Sequence, residues 1–186
     1  MLAPMPSTSD PVPTLEQLLG EGKYREAIGR CAQEHGASVG RLCMAMLGNQ
    51  AEAQEVAQET FLAAFQGISK FRAEGSVRAW LFGIARRQCA RRIQRGPRRH
   101  LELVAEAHAG SANTEGELLA KGRSDNLQRH LSQLKPSERD LLLLRFAGDL
   151  SFRDLAELLD LTEATARKRA SRALLKLRSI MDPEDS

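Results

Sequence analysis

The sequence predicts an all-α protein of two small helical domains joined by a flexible linker, and three observations carry that prediction. Apolar residues recur at spacings of three and four over residues 14–95 and again over residues 126–181, the period of helices packed on one side. No useful length of chain alternates apolar and polar residues with period two, so strands are not expected. Between the helical blocks, residues 96–125 mix Gly, Ser, Ala, Asn and Glu with little periodicity, which is linker composition.

In chain order, residues 1–13 are rich in Pro, Ser and Thr and are expected to be disordered. Helices are then predicted at Thr14–Leu19, Tyr24–Leu47, Gln50–Gln66 and Val77–Arg95. Gly36 and Gly40 weaken the middle of the second. Breaks fall at Gly20 to Gly22, at Gly48-Asn49 and in the loop Phe71–Val77, and Gly96-Pro97 is predicted to end the fourth helix. Glu115–Gly122 has the composition for a helical turn inside the linker. Helicity is predicted to resume over Asp125–Gln133, followed by a helix Glu138–Ala147 opened by Pro136 and a capping box of Ser137 with Asp140.

The strongest local signal lies in Leu150–Arg169. Ser151 can cap free backbone N–H groups, and Asp154, three residues on, supplies the returning carboxylate of a capping box. Leu155, Leu158 and Leu159 give this short helix one apolar face. Asp160 sits at the turn, where positive φ is wanted and Asp tolerates it better than most residues, and Thr162 can cap the next helix. On that helix Ala166, Ala170, Ala173, Leu174 and Leu177 share one arc, while Thr165, Lys168, Arg169, Arg172 and Lys176 fall on the other. A capped helix, a tight turn and a basic second helix are the sequence form of a DNA-binding helix-turn-helix. A basic face alone is more often a solvated surface; the capping and spacing here favour DNA.

The 186 residues carry a net charge of +3, unevenly spread. Residues 20–95 hold 12 basic and 7 acidic side chains and residues 126–180 hold 11 and 7, against 4 and 5 in residues 96–125. Two basic modules around a non-basic connector suit contact with a polyanion at two places. Cys31, Cys43 and Cys89 are too few and too scattered for a disulfide framework. His35 follows Cys31 by four residues, but buried reduced thiols are the expectation, with no metal and no cofactor. The four histidines are dispersed and no paired-carboxylate motif or phosphate-cradling glycine loop is present, so no enzyme is expected. With no apolar run of the ~20 residues a membrane span needs and no signal-peptide pattern, the chain is expected to be cytoplasmic, without membrane insertion.

Two blocks together resemble a known family. The first is Glu52-Ala53-Gln54-Glu55-Val56-Ala57-Gln58-Glu59-Thr60-Phe61-Leu62-Ala63-Ala64-Phe65, with Phe71-Arg72 and Trp80-Leu81-Phe82-Gly83-Ile84-Ala85-Arg86 after it. The second is Leu131–Arg139 with Leu141–Arg145, then Leu150-Ser151 and the helix-turn-helix. Together they resemble the extracytoplasmic-function (ECF) sigma factors, the small two-domain members of the bacterial sigma-70 family, over about residues 14–95 and 126–180. The resemblance implies a four-helix sigma region 2-like domain at 14–95, a linker at 96–125 and a sigma region 4-like helix-turn-helix domain at 126–181.

It also implies partners and sites. Core RNA polymerase would be met by Glu52, Glu55, Gln58, Glu59, Leu62 and Phe65, carboxylates and amides around an apolar patch facing a basic coiled coil. Phe61 is expected in the core. The -10 element of promoter DNA would be met by Phe71, Arg72, Glu74, Ser76, Arg78, Arg86, Arg87 and Arg91, with Arg92 and Arg95 on the same helix and Trp80 in the core. The -35 element would be met by Thr165, Arg167, Lys168, Arg169, Ser171 and Arg172. Arg87 and Arg91 stand where the family often has Asn and Asp, which raises phosphate affinity and puts the family's base contacts in doubt at that helix. An anti-sigma factor is a further implied partner. The alternative from the residues alone is a helix-turn-helix regulator acting without polymerase.

Overall fold

The computed structural model describes residues 13–71, 75–106 and 126–181, with side chains only to Arg95 in the second stretch. Elements in the described residues are helical throughout: α1 Leu15–Gly20, α2 Tyr24–Leu47, α3 Gln50–Gly67, a 3-10 turn Ile68–Lys70, α4 Val77–Glu106, α5 over residues 126–132, α6 Pro136–Phe146, α7 Phe152–Leu159 and α8 Glu163–Met181. The expected disorder of the N-terminus and the helical turn at Glu115–Gly122 fall outside the described residues.

The first domain begins with a capping box: Thr14 Oγ1 accepts from the Gln17 N–H at 3.2 Å and Gln17 Oε1 accepts from the Thr14 N–H at 2.7 Å. Gly36 and Gly40 do not interrupt α2; it ends at Gly48, whose φ of 71° closes the helix in the left-handed conformation. Asn49 then caps α3, its Oδ1 accepting from the Glu52 N–H at 3.0 Å, so two residues suffice to fold α3 back onto α2. Val39, Leu42, Cys43, Val56, Leu81, Phe82 and Cys89 are fully buried among α2, α3 and α4. Thr60, also fully buried, has its hydroxyl satisfied by donating to the Val56 carbonyl at 2.7 Å.

Two predicted boundaries are corrected. Helix α4 does not end at Gly96-Pro97 but continues to Glu106. Proline removes a single backbone donor, and the Arg, Gln, Leu and Glu around it favour the helix, so the interruption at a cost of about 3 kcal/mol does not break it. Helix α6 is not opened by Ser137 with Asp140: Pro136 is its first residue, and Glu138 Oε2 accepts from the Lys135 N–H at 3.0 Å. Asp140 is occupied elsewhere, as described below.

The second domain packs α6, α7 and α8 around Leu141, Leu142, Leu144, Leu150, Leu155, Ala166, Ala170, Ala173 and Leu177. The two domains do not stand apart. Helix α4 lies against α7, α2 touches α6, and one continuous core of buried residues runs through both.

Candidate nucleic-acid interface

The helix-turn-helix forms from the residues that announced it. Asp154 Oδ2 accepts from the Ser151 N–H at 3.1 Å and the Asp154 N–H returns to Ser151 Oγ at 3.1 Å. Burial works against ionisation of this carboxyl, but hydrogen bonds from Ser151 and Ser76 and the charge of Arg78 outweigh it and hold Asp154 below its ordinary value. Asp160 adopts φ 53°, ψ 55°, ending α7, and Thr162 Oγ1 accepts from the Thr165 N–H at 3.2 Å to start α8. The alanines at 166, 170 and 173 are buried, so α8 lies close against its support while Lys168, Arg169, Ser171 and Arg172 remain exposed.

Members of the -35 set and of the basic arc are engaged within the chain, among them Arg172, whose Nε donates to the Lys168 carbonyl at 3.4 Å. Thr165 is half-buried and shares a 2.8 Å hydroxyl contact with Thr162. Arg167 pairs with Glu163 and lies 4.6 Å from the Phe152 ring centroid, bracing α8 on α7. Lys176, placed by periodicity on the cationic arc, instead reaches back to Glu138 of α6 at 3.1 Å. Arg169 and Arg172 line a cleft of about 590 Å³ with Lys135, Leu141, Leu159 and Leu161 on its walls and Arg86 of the first domain across from them.

On the first domain, α3 presents Glu55, Gln58 and Glu59 outward beside two unusually exposed apolar side chains, Leu62 at 63% and Phe65 at 47%. Glu52 is half-buried, and Phe61 packs against the core as expected. Arg92, counted from the sequence as one of a DNA-facing series, turns the other way: its guanidinium is nearly buried and donates to Glu55 at 2.5 Å and Glu59 at 3.0 Å. It ties α4 to α3.

The remaining -10 candidates divide. Arg72 and Glu74 lie outside the described residues. Phe71 packs on Trp80, ring centroids 5.2 Å apart, and Trp80 is half-buried against the core. Arg87 and Arg91 are exposed. Ser76, Arg78 and Arg86 reach the second domain: the Ser76 N–H donates to Glu157 at 2.7 Å, Arg78 to the Asp149 carbonyl at 2.6 Å, and Arg86 to Asp140 at 2.8 Å. Periodicity could not reveal these partners, because each is separated from its mate by 54 residues or more.

The thiols are buried, as expected. Burial first, then the charge of Glu34, pushes Cys31 up to about 11, so it is a protonated thiol beside His35. Among the described residues no group of three or more His, Cys, Asp or Glu side chains could hold a metal ion, and no helix is long and apolar enough to cross a membrane.

Residues 31–99 match the model of sigma-70 region 2 and residues 124–177 that of sigma-70 region 4. The chain is 30% identical over 171 residues to the ECF RNA polymerase sigma factor SigC of Mycobacterium tuberculosis, covering 89% of this chain and 88% of that one. It belongs to the ECF sigma factors of the sigma-70 family. Another relative, the ECF sigma factor SigW of Bacillus subtilis, is 26% identical over 149 residues, 74% of this chain and 80% of SigW. In fold this ECF sigma factor is similar to CnrH, solved with the cytosolic domain of CnrY, at a TM-score of 0.67 and 21% identity over 92% of this chain and all of that one. It is also similar to the sigma factor RpoE of Bartonella quintana, solved with the anti-sigma factor NepR, at 0.57 and 17% over 85% and 98%. As a sigma factor the chain binds core RNA polymerase and directs it to promoters. The alternative of a regulator acting without polymerase does not account for a region 2 match across α2, α3 and α4.

Proposed function

We propose that this sigma factor meets core RNA polymerase through Glu52, Glu55, Gln58, Glu59, Leu62 and Phe65 of α3, reads the -10 element with α4 and the loop before it, and reads the -35 element with α8. The observation that carries the polymerase assignment is the exposure of Leu62 and Phe65 within a row of carboxylates and an amide. Exposed apolar side chains ringed by acceptors match a partner surface of arginines around an apolar centre. For α8 the support is the buried alanine stripe opposite Lys168, Arg169 and Arg172. The protein works in the cytoplasm in this reading, and an anti-sigma factor is a proposed regulator.

Run-off transcription with core polymerase on promoter-bearing fragments tests the reading, together with pull-down of core polymerase by the wild type and by a Leu62→Ser/Phe65→Ser variant. Initiation at a restricted promoter set, and loss of pull-down in the variant with its helical circular dichroism retained, are the expected results. Equal pull-down by both proteins overturns the α3 assignment.

A further inference from the structure

Arg167 differs from the cations around it on α8. Its Nη2 donates to Glu163 Oε1, one turn earlier, at 2.5 Å, and its guanidinium carbon lies over the Phe152 ring, 4.6 Å from the centroid. Among the described residues no ion pair or ring contact holds Lys168, Arg169 or Arg172 in this way. Phe152 is itself fixed. It is the first residue of α7, half-buried against the core, and a second guanidinium, that of Arg145, lies 5.1 Å from its centroid. Arg145 in turn donates to the Leu150 carbonyl at 3.1 Å, so it is anchored in the turn between α6 and α7. The Arg167 guanidinium is thus held from two directions, by a carboxylate on its own helix and by a ring on α7, while its side chain stays 59% exposed. Exposed i,i+4 bridges and exposed cation–π contacts are each weak, so this arrangement adds little to stability. What it fixes is direction.

We propose that Phe152 and Glu163 are positioning residues for promoter recognition, holding the Arg167 guanidinium as a fixed fork that discriminates the base pair at one position of the -35 element. This role rests on the proposed assignment of Arg167 to that element, and it adds two residues that need not touch DNA themselves. An arginine that reaches DNA from many rotamers gives up that freedom on binding, whereas one already held has given it up on folding. Direction also matters more for a base than for a phosphate. A bidentate approach to a guanine edge needs two N–H groups in one plane, and a phosphate accepts a cation from a wide range of angles. A carboxylate at the start of a DNA-facing helix repels phosphates, so Glu163 weakens binding to every sequence alike. Its compensating effect is selectivity: a held guanidinium cannot swing from a mismatched base to a neighbouring phosphate, and the wrong sequence is left without the contact.

The test is transcription by bacterial core polymerase with the full chain from a promoter library randomised through the -35 element, alongside thermal melts and circular dichroism. Phe152→Leu should reduce discrimination by about tenfold at the position that Arg167→Ala also relaxes, and Phe152→Tyr, which keeps the ring, should restore it. Phe152→Leu combined with Arg167→Ala should lose no more discrimination than Arg167→Ala alone, because the ring acts through the arginine. Glu163→Gln should strengthen use of all sequences evenly while flattening preference at that same position. If Phe152→Leu loses its helical circular dichroism, Glu163→Gln, a change on an exposed side chain, carries the test alone. Intact discrimination in Phe152→Leu and Glu163→Gln, with Arg167→Ala relaxed, overturns the positioning role. A uniform loss across the library in Phe152→Leu overturns it too, since that is the mark of a phosphate contact or a weakened fold. No change at any position in Arg167→Ala overturns instead the assignment of Arg167 to the -35 element, and the positioning role falls with it.

Discussion

Two basic helices, α4 and α8, carry similar charge and meet different fates. On α8 the side chains at 168, 169 and 172 are exposed, while on α4 the arginines at 86 and 92 are drawn to acids of other helices and Arg78 to carbonyls of the turn between α6 and α7. The difference lies in what stands opposite. On α8, Arg169 and Arg172 face the open cleft, whereas α4 runs between α3 and α7 and finds Glu55 and Glu59 on one side and Asp140 and Asp149 on the other. Helical periodicity reports which arc is charged, and tertiary packing decides whether that charge is available.

The largest expected effect comes from breaking the buried side of α8. Ala170→Glu places a carboxylate where 5% of the residue is exposed and should destabilise the second domain by about 3 kcal/mol or more, read as a lowered thermal midpoint. An unchanged melt would mean that the helix is rotated from its described position. On the open side, Arg169→Ala with Arg172→Ala should leave the melt alone and weaken promoter use. A base contact costs roughly 1–3 kcal/mol at one promoter position, while a phosphate contact weakens all sequences evenly and flattens the salt dependence. A promoter library transcribed with the double variant separates the two.

The α4 side gives smaller shifts. Glu55→Arg sets a cation against Arg92 and should lower stability by about 1 kcal/mol in addition to weakening polymerase capture, whereas Gln58→Ala should stay within about 0.5 kcal/mol while also weakening capture. Equal melts for the two would show that the Arg92 contact is energetically silent. The smallest effect is a pH dependence at His35. Burial first, then the charge of Arg78, holds its imidazole below the usual range, against opposing contributions from Glu34 and Asp154. A folded-state value below the unfolded one, near 6.5, gives stability that is complete above that pH and lost as pH falls below it. His35→Gln should remove that acid-side slope from melts taken between pH 5 and pH 7, and an identical slope would place the titration elsewhere.

Much of this was legible in the residues. Helix α2 has the predicted limits, and the Ser151–Asp154 box, the left-handed Asp160 and the buried alanines of α8 were all readable because each depends on neighbours within a turn or two. The two misplaced boundaries share a cause. At Pro97 a strong local rule was outweighed by its helix-favouring neighbours, and at Ser137 the competing Lys135–Glu138 pattern, two residues out of phase, won. Of the candidate site, Leu62 and Phe65 came from the family resemblance alone, with core packing an equal expectation for Phe65, and both are exposed. The partners of Arg78, Arg86 and Arg92 were not legible, because nothing local distinguishes an arginine destined for DNA from one destined for an acceptor 33 or more residues away.

The Arg92 bridge has a mechanical consequence. A single guanidinium gripping two carboxylates one turn apart on α3 resists both sliding and rolling of α3 against α4, since either motion stretches one of the two bonds. The surface assigned to polymerase and the helix assigned to the -10 element therefore behave as one stiff bracket. Under the proposed assignment, fixing one end against the enzyme would set the angle at which the other end arrives at the DNA, so the reach from enzyme to promoter would be gauged inside the first domain itself.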